Sequence, residues 1–175
     1  MIVSFLRGIN IGAKNKLKMS EIVSIYTRLG YFKIATYLNT GNVVFIGTRK
    51  RPSHLIEKEI QDMIRHCQNL NIEVIVRTKK ELQNIVNNFP FESADNKNLY
   101  VTMLKTGSKN HFSEQISSAL KDNDLCKITN KEIYFYLPGG YGKSKVNNAF
   151  IEKKSNTIAT TRNLNTLKKV LEMMS

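Results

Sequence analysis

The chain contains no tryptophan, only two cysteines and three prolines, and only 14 Asp and Glu against 27 Lys and Arg in 175 residues. Each shortage excludes something. Cys67 and Cys126 stand far apart without a C-x-x-C pattern, so a disulfide framework is excluded and buried free thiols are expected. His54, His66 and His111 share no metal-ligand spacing with each other or with the cysteines, so no metal is expected. Long apolar runs are missing as well. The run at the start is broken by Arg7, too short for a signal peptide or a membrane span. A cytoplasmic protein without a membrane partner is expected. The scarcity of acid leaves a formal charge of +13 and a pI near 9.8, which favours polyanionic partners such as nucleic acid or phosphorylated small molecules. The same excess of lysine also serves solubility, and it is spread along the chain.

What is present is a globular composition, 41% apolar with a mean hydropathy of -0.31. That is enough for one domain or two small ones. The opening stretch MIVSFLRGINIGAKNKLKMS joins an apolar strand, Ile2 to Leu6, to a helix start near Ser20. Arg7, Lys14, Lys16 and Lys18 lie between them with no acidic neighbour, and Gly8 and Gly12 free the backbone for a tight path. Such a corner suits an anion. It also suits a solvated connection.

Farther on, Ile22, Val23, Ile25, Tyr26 and Leu29 recur at helical spacing before Gly30. A hairpin follows, Ile34 to Leu38 and Val43 to Ile46, around Asn39-Thr40-Gly41-Asn42. Pro52 and Ser53 open a helix whose inward stripe is Leu55, Ile56, Ile60, Met63, Ile64 and Cys67, and Glu73 to Arg77 reads as a strand. The order is βαββαβ, the ferredoxin-like plait. Thr78 and Glu81 form a capping-box pattern for a short helix through Leu82, Ile85 and Val86. That helix and the polar stretch 92–98 read as a joint.

The second half repeats the order: strand Leu99 to Leu104, helix Ser113 to Leu120, hairpin Leu125 to Thr129 and Ile133 to Leu137, helix Ser144 to Lys154. A weak strand near Ile158 and a last helix capped by Asn163 complete it. The fold class expected is therefore α+β, two ferredoxin-like (α-β plait, βαββαβ) halves packed together. Residues 1–78 form the first domain; 79–175 form the second, with extra helices at 79–88 and 163–174. No residue-level identity links the halves.

Three local patterns bear on chemistry. PGGYGKSK, Pro138 to Lys145, follows a strand and opens the expected helix. A P-loop would need glycine where Leu137 stands, so an NTPase site is excluded. Backbone amides of Gly139, Gly140 and Gly142 with Lys143 and Lys145 still offer a phosphate corner. Tyr141 and Lys145 have the spacing of short-chain dehydrogenases, but no dinucleotide-binding glycine pattern follows the first strand. No cofactor is expected. TTRNLNT places Arg162, Asn163 and Asn165 around a helix start, where an arginine can clamp a carboxylate or phosphate. The strands of the first half are apolar on both faces, which disfavours an open RNA-binding sheet and calls for cover by the other half or a partner chain. A homodimer stays open.

LRGINIGAKNKLKM, NTGNVVF, GYGKSKVNNAFIEKK and ATTRNLNTLKK, in that order, resemble the bacterial family catalogued as domain of unknown function 1697. The family usually has Gly-Gly at Gly12-Ala13 and Trp at Leu164. The resemblance implies two ferredoxin-like plaits and no named activity. It also implies a set of polar positions: Arg7, Asn10, Asn15, Lys16, Asn42, Lys145, Arg162, Asn163 and Asn165. If these converge, they favour an anion. The expected function is binding of nucleic acid or a nucleotide-like phosphate at loops and helix N-termini. The alternatives are an enzyme acting on a phosphorylated or carboxylated small molecule in the cleft between halves, and an interaction or oligomerisation module.

Overall fold

Consecutive strand residues can be buried on two faces only if both faces are covered, and in β1 (Ile2–Leu6), a central strand, this holds from Val3 to Leu6, Ser4 included. In the computed structural model, which describes residues 1–12, 14–47, 49–91, 96–107 and 112–175, β1 pairs antiparallel with β3 (Asn42–Ile46) on one side and β4 (Val74–Thr78) on the other. β2 (Phe32–Tyr37) completes a sheet of order β2-β3-β1-β4. One face carries α1 (Met19–Arg28) and α2 (Ser53–Gln68). Ile22, Ile25 and Tyr26 of α1, and Ile56, Ile60 and Ile64 of α2, meet Leu6, Val43, Phe45, Val74 and Val76 there. On the opposite face Val3, Phe5, Val44 and Ile75 are buried too.

The second sheet has the same plan, with order β6-β7-β5-β8. Its strands are β5 (Leu99–Leu104), β6 (Leu125–Ile128), β7 (Glu132–Tyr136) and β8 (Ala159–Asn163). Its helices are α4 (Ser113–Ser117) and α5 (Asn148–Ser155), whose Ile116 and Ile151 join Leu104, Ile133 and Phe135 in the core. By compactness the chain divides into residues 1–83 with 170–175, and residues 84–169. The architecture is α+β, two antiparallel four-stranded sheets in similar, ferredoxin-like halves.

Several local expectations are corrected. α3 (Lys79–Asn87), expected at the joint, contains the boundary between the two compact units, and it follows β4 as α6 (Leu164–Met173) follows β8, so the element order βαββαβα occurs twice. Thr78 and Asn163 hold equivalent positions, each beginning the helix that follows its strand. Thr78 N–H and Oγ1 both donate to Glu81 Oε2 at 2.7 Å, and Asn163 Oδ1 accepts from Asn165 N–H at 2.9 Å. The final strand is regular over five residues. α5 begins at Asn148 and not Ser144, because Asn147 is the cap: its Oδ1 accepts from Phe150 N–H at 3.0 Å. α4 stops at Ser117. Both cysteines are free, as expected, but half-buried and not fully buried. Ala13, His111 and residues 92–95 of the expected joint lie outside the described residues. No described helix is long and apolar enough to cross a membrane.

The core of the first unit contains a titratable group with a readable consequence. Tyr26 is fully buried, with its hydroxyl 2.6 Å from Ser4 Oγ. Burial raises its phenol above the ordinary 10.0, an effect that Ser4 opposes and neighbouring Tyr31 reinforces. The folded chain thus keeps a proton that the unfolded chain loses, and stability falls as pH rises above 10. Relative to Tyr26→Phe, the wild-type protein is expected to lose about 1 kcal/mol between pH 10 and 11. Urea titrations of both proteins at each pH measure it; a difference that stays constant with pH refutes it.

Candidate functional site

The basic loop after β1 is held by its own asparagines. Leu6 N–H donates to Gly41 O and Arg7 N–H to Glu73 O, both at 2.8 Å, which fixes where the loop leaves the sheet. Asn10 then uses both ends of its amide: Nδ2 donates to Leu17 O (2.9 Å) and Asn39 O (2.8 Å), and Oδ1 accepts from Leu17 N–H (2.9 Å). Asn15 Nδ2 donates to Gly8 O at 3.1 Å, and Asn10 N–H to Asn15 O at 3.1 Å. Ile9 and Leu17 are buried as apolar anchors. Asn10 (φ 53) and Asn15 (φ 49) take the left-handed conformation that Asn tolerates better than most residues. Asn42, buried at the start of β3, donates to Tyr37 O (2.9 Å) and Thr40 Oγ1 (3.0 Å) and shapes the hairpin.

The cations of this loop point outward. Lys14, Lys16 and Lys18 are exposed and Arg7 is half-buried. Leu17 is buried between exposed Lys16 and Lys18, the alternation of an extended segment, which sets both ammonium groups on one side. The nearest acid in sequence is Glu21, whose carboxylate accepts from Lys18 N–H at 2.7 Å. Its charge therefore sits on the first turn of α1, where the helix dipole favours it.

In the second unit, Arg162 lies in β8 on the face opposite Ala159 and Thr161. Its Nη1 donates to Thr160 Oγ1 (2.8 Å) and Thr161 O (2.9 Å). Burial pulls its guanidinium down to about 10, with Tyr141 acting in the opposite direction; it is still protonated at neutral pH. Asn163 Nδ2 donates to Lys97 O (2.7 Å) and Asn96 O (3.4 Å). Asn165 is exposed, its N–H on Asn163 Oδ1. Lys143 and Lys145 are exposed, but the glycine string leads into a single 3-10 turn, Tyr141–Lys143, and not into a helix N-terminus. The phosphate corner expected there therefore lacks the row of free helix amides it needs.

Sequence reading missed three features. Thr161 Oγ1 sits among Thr102 Oγ1 (2.6 Å), Asn148 Oδ1 (2.7 Å) and Tyr141 Oη (3.0 Å), a partly buried oxygen network that makes β8 viable despite its threonines. Arg77 is the counterpart of Arg162. It pairs with Val3 in β4 as Arg162 pairs with Val101 in β8, and its Nη1 likewise donates to the preceding carbonyl, Val76 O, at 3.0 Å. The third is a surface cavity of about 600 Å³ in the first unit, lined by Leu29, Leu55 and Met63 with charged groups at its rim. At that rim Glu59 is held by Tyr31, whose hydroxyl donates to it at 2.8 Å, and by Arg51.

Of the four motif stretches, the first two meet in the first unit through Leu6–Gly41 and Asn10–Asn39. The last two meet in the second through Thr161, Tyr141 and Asn148. A family profile described as "Protein of unknown function (DUF1697)" matches residues 1–134. No curated protein matches. A solved structure, that of conserved bacterial protein SP0830 from Streptococcus pneumoniae, aligns over 99% of this chain and 98% of its own length. With 19% identity and a TM-score of 0.73, the likeness shows a common fold.

Proposed function

The chain belongs to the DUF1697 family, whose function is unknown, and from the geometry of its opening loop we propose that it binds polyanions, nucleic acid first among them. The observation that carries this reading is a set of exposed ammonium groups on a loop whose shape is already fixed. Lys14, Lys16 and Lys18 follow a half-buried Arg7, and no acid precedes Glu21. Three hydrogen bonds donated by the side-chain amides of Asn10 and Asn15, and one that Asn10 accepts from Leu17 N–H, hold the loop, so little ordering is left for the ligand to impose. The asparagines thus support the site through the backbone they hold, while the lysines meet phosphate. Asn42 acts in the same way from the hairpin. In the second unit Lys143 and Lys145 are exposed, while Arg162 and Asn163 are turned to their own strand and the 3-10 turn Asn96–Asn98, and exposed Asn165 starts α6.

Fluorescence anisotropy with labelled single- and double-stranded DNA and RNA, across a salt series, tests this. Binding is expected at about 50 mM salt with a log–log slope of roughly −3 or steeper, as three or more neutralised phosphates require. Reversing Lys14, Lys16 and Lys18 to Glu together is expected to cost about 100-fold in affinity with the fold intact by circular dichroism. Absence of binding by the wild-type protein at low salt, or equal binding by the triple variant, overturns the reading.

A further inference from the structure

The basic loop also exposes apolar side chains. Ile11 is 70% exposed and Leu38 is 53% exposed, the two highest values among the exposed large hydrophobic residues. They lie on two turns that are tied together: Asn10, beside Ile11, donates to the carbonyl of Asn39, beside Leu38, at 2.8 Å. Isolated aliphatic residues on a surface need no explanation, but two on adjoining turns next to exposed lysines form a composite surface. Ile11 O accepts from Lys14 N–H at 3.2 Å. Leu38 has φ 56, a conformation that disfavours a branched apolar residue in a turn. Neither residue is placed there by core packing.

A surface with cations around an apolar point is complementary to a polyanion that has an apolar interior within reach. Inorganic polyphosphate has none. A nucleic acid has one in its base stack, and it becomes reachable where a step is open: a mismatch, a bulge, a nick or an unpaired strand. Resting on the polyanion reading above, we infer that this loop recognises nucleic acid at opened base steps, with Ile11 as the wedge and Leu38 beside it. The lysines contact the flanking phosphates. A lipid bilayer also places an apolar layer beneath anionic groups, but it rewards several deeply inserted side chains, and only two short aliphatic residues are present. The opened nucleic acid step is the better fit because one aliphatic side chain fills it.

The test compares three probes, an intact 20-base-pair DNA duplex, the same duplex with a two-base bulge, and inorganic polyphosphate, against wild type, Ile11→Ser and Leu38→Ser. Wild type is expected to prefer the bulged duplex by about tenfold, and Ile11→Ser to reduce that preference to about twofold with an unchanged salt slope and unchanged polyphosphate binding. Both positions are exposed, so the variants keep the fold. Equal affinity of wild type for bulged and intact duplex overturns the inference, as does a preference that survives both substitutions. In either case salt-dependent binding to all three probes leaves the polyanion reading standing; failure to bind any of them removes both. A parallel sedimentation with phosphatidylserine vesicles is expected to show no loss on Ile11→Ser. Loss there with an unchanged duplex preference assigns the tip to membranes and overturns the inference.

Discussion

Replacing Gly41 by alanine is expected to destabilise the protein by about 3 kcal/mol, lowering its midpoint by roughly 6–12 °C. Two independent costs add. Gly41 has φ +80, where a Cβ costs about 1–2 kcal/mol. A Cβ placed there also lies 2.7 Å from Leu6 Cβ and 3.0 Å from Ile9 Cδ1. Both neighbours are buried, so neither can swing clear. The clash falls at the point where Leu6 N–H reaches Gly41 O, the bond that seats the basic loop on the hairpin. Nucleic-acid affinity should therefore fall with stability. Gly12→Ala supplies the comparison: its φ is +59 but nothing lies within 4 Å of the new Cβ, so only about 1 kcal/mol is expected. Thermal denaturation followed by circular dichroism distinguishes the two. Equal midpoints for the variants would show that close approach at Gly41 is unimportant.

Phe45→Ala is expected to cost about 3–5 kcal/mol, a third or more of the stability of an ordinary domain. Phe45 has no exposed surface, and its ring is stacked on Tyr31 (centroids 4.6 Å apart) and edge-on to Tyr26 (5.2 Å). Tyr26 and Tyr31 are themselves edge-on at 5.9 Å, so the three rings form a closed triangle. Deleting one member leaves a cavity bordered by two large rings that are each tethered by hydroxyl groups, Tyr26 near Ser4 and Tyr31 on Glu59. They cannot collapse into the space without giving up those bonds. Phe45→Leu, which keeps most of the volume, should recover about half of the loss. Guanidinium titrations measure both. A cost below 1 kcal/mol for alanine would mean the triangle relaxes freely.

The fold was readable because its burial follows periodicity. The inward faces of α1 and α2 recur at helical spacing, and β1 and β3 are apolar on both faces as doubly covered strands must be. β8 was nearly invisible for the opposite reason. Its residues include Thr160, bonded by Arg162 of the same strand, and Thr161, whose polarity is cancelled by partners from β5, α5 and the 3-10 turn that no local pattern announces. The start of α5 was misplaced because Ser144 is as good a cap by type as Asn147, and only the bond to Phe150 N–H decides between them. The motif asparagines were recognisable as important but not in their role. Asn10 bridges positions 7 and 29 residues away, and that geometry emerges only after the hairpin has docked. Exposed Ile11 and Leu38 carried no signal, since an aliphatic residue in a sequence is read as core.

The chain's last six residues, 170–175, cluster with residues 1–83 and not with the 86 residues between. Val170 and Met174 are buried. During synthesis the first unit therefore emerges early but cannot be finished until residues 170–175 have been translated. The second unit is continuous, and all of its residues precede position 170. The ribosome thus delivers the halves in one order and completes them in the other, with the basic loop waiting on a partly assembled unit. At a typical rate of about 5–20 residues per second, the interval between residues 83 and 175 is roughly 5–18 s. Throughout that interval the first unit lacks the buried side chains of Val170 and Met174.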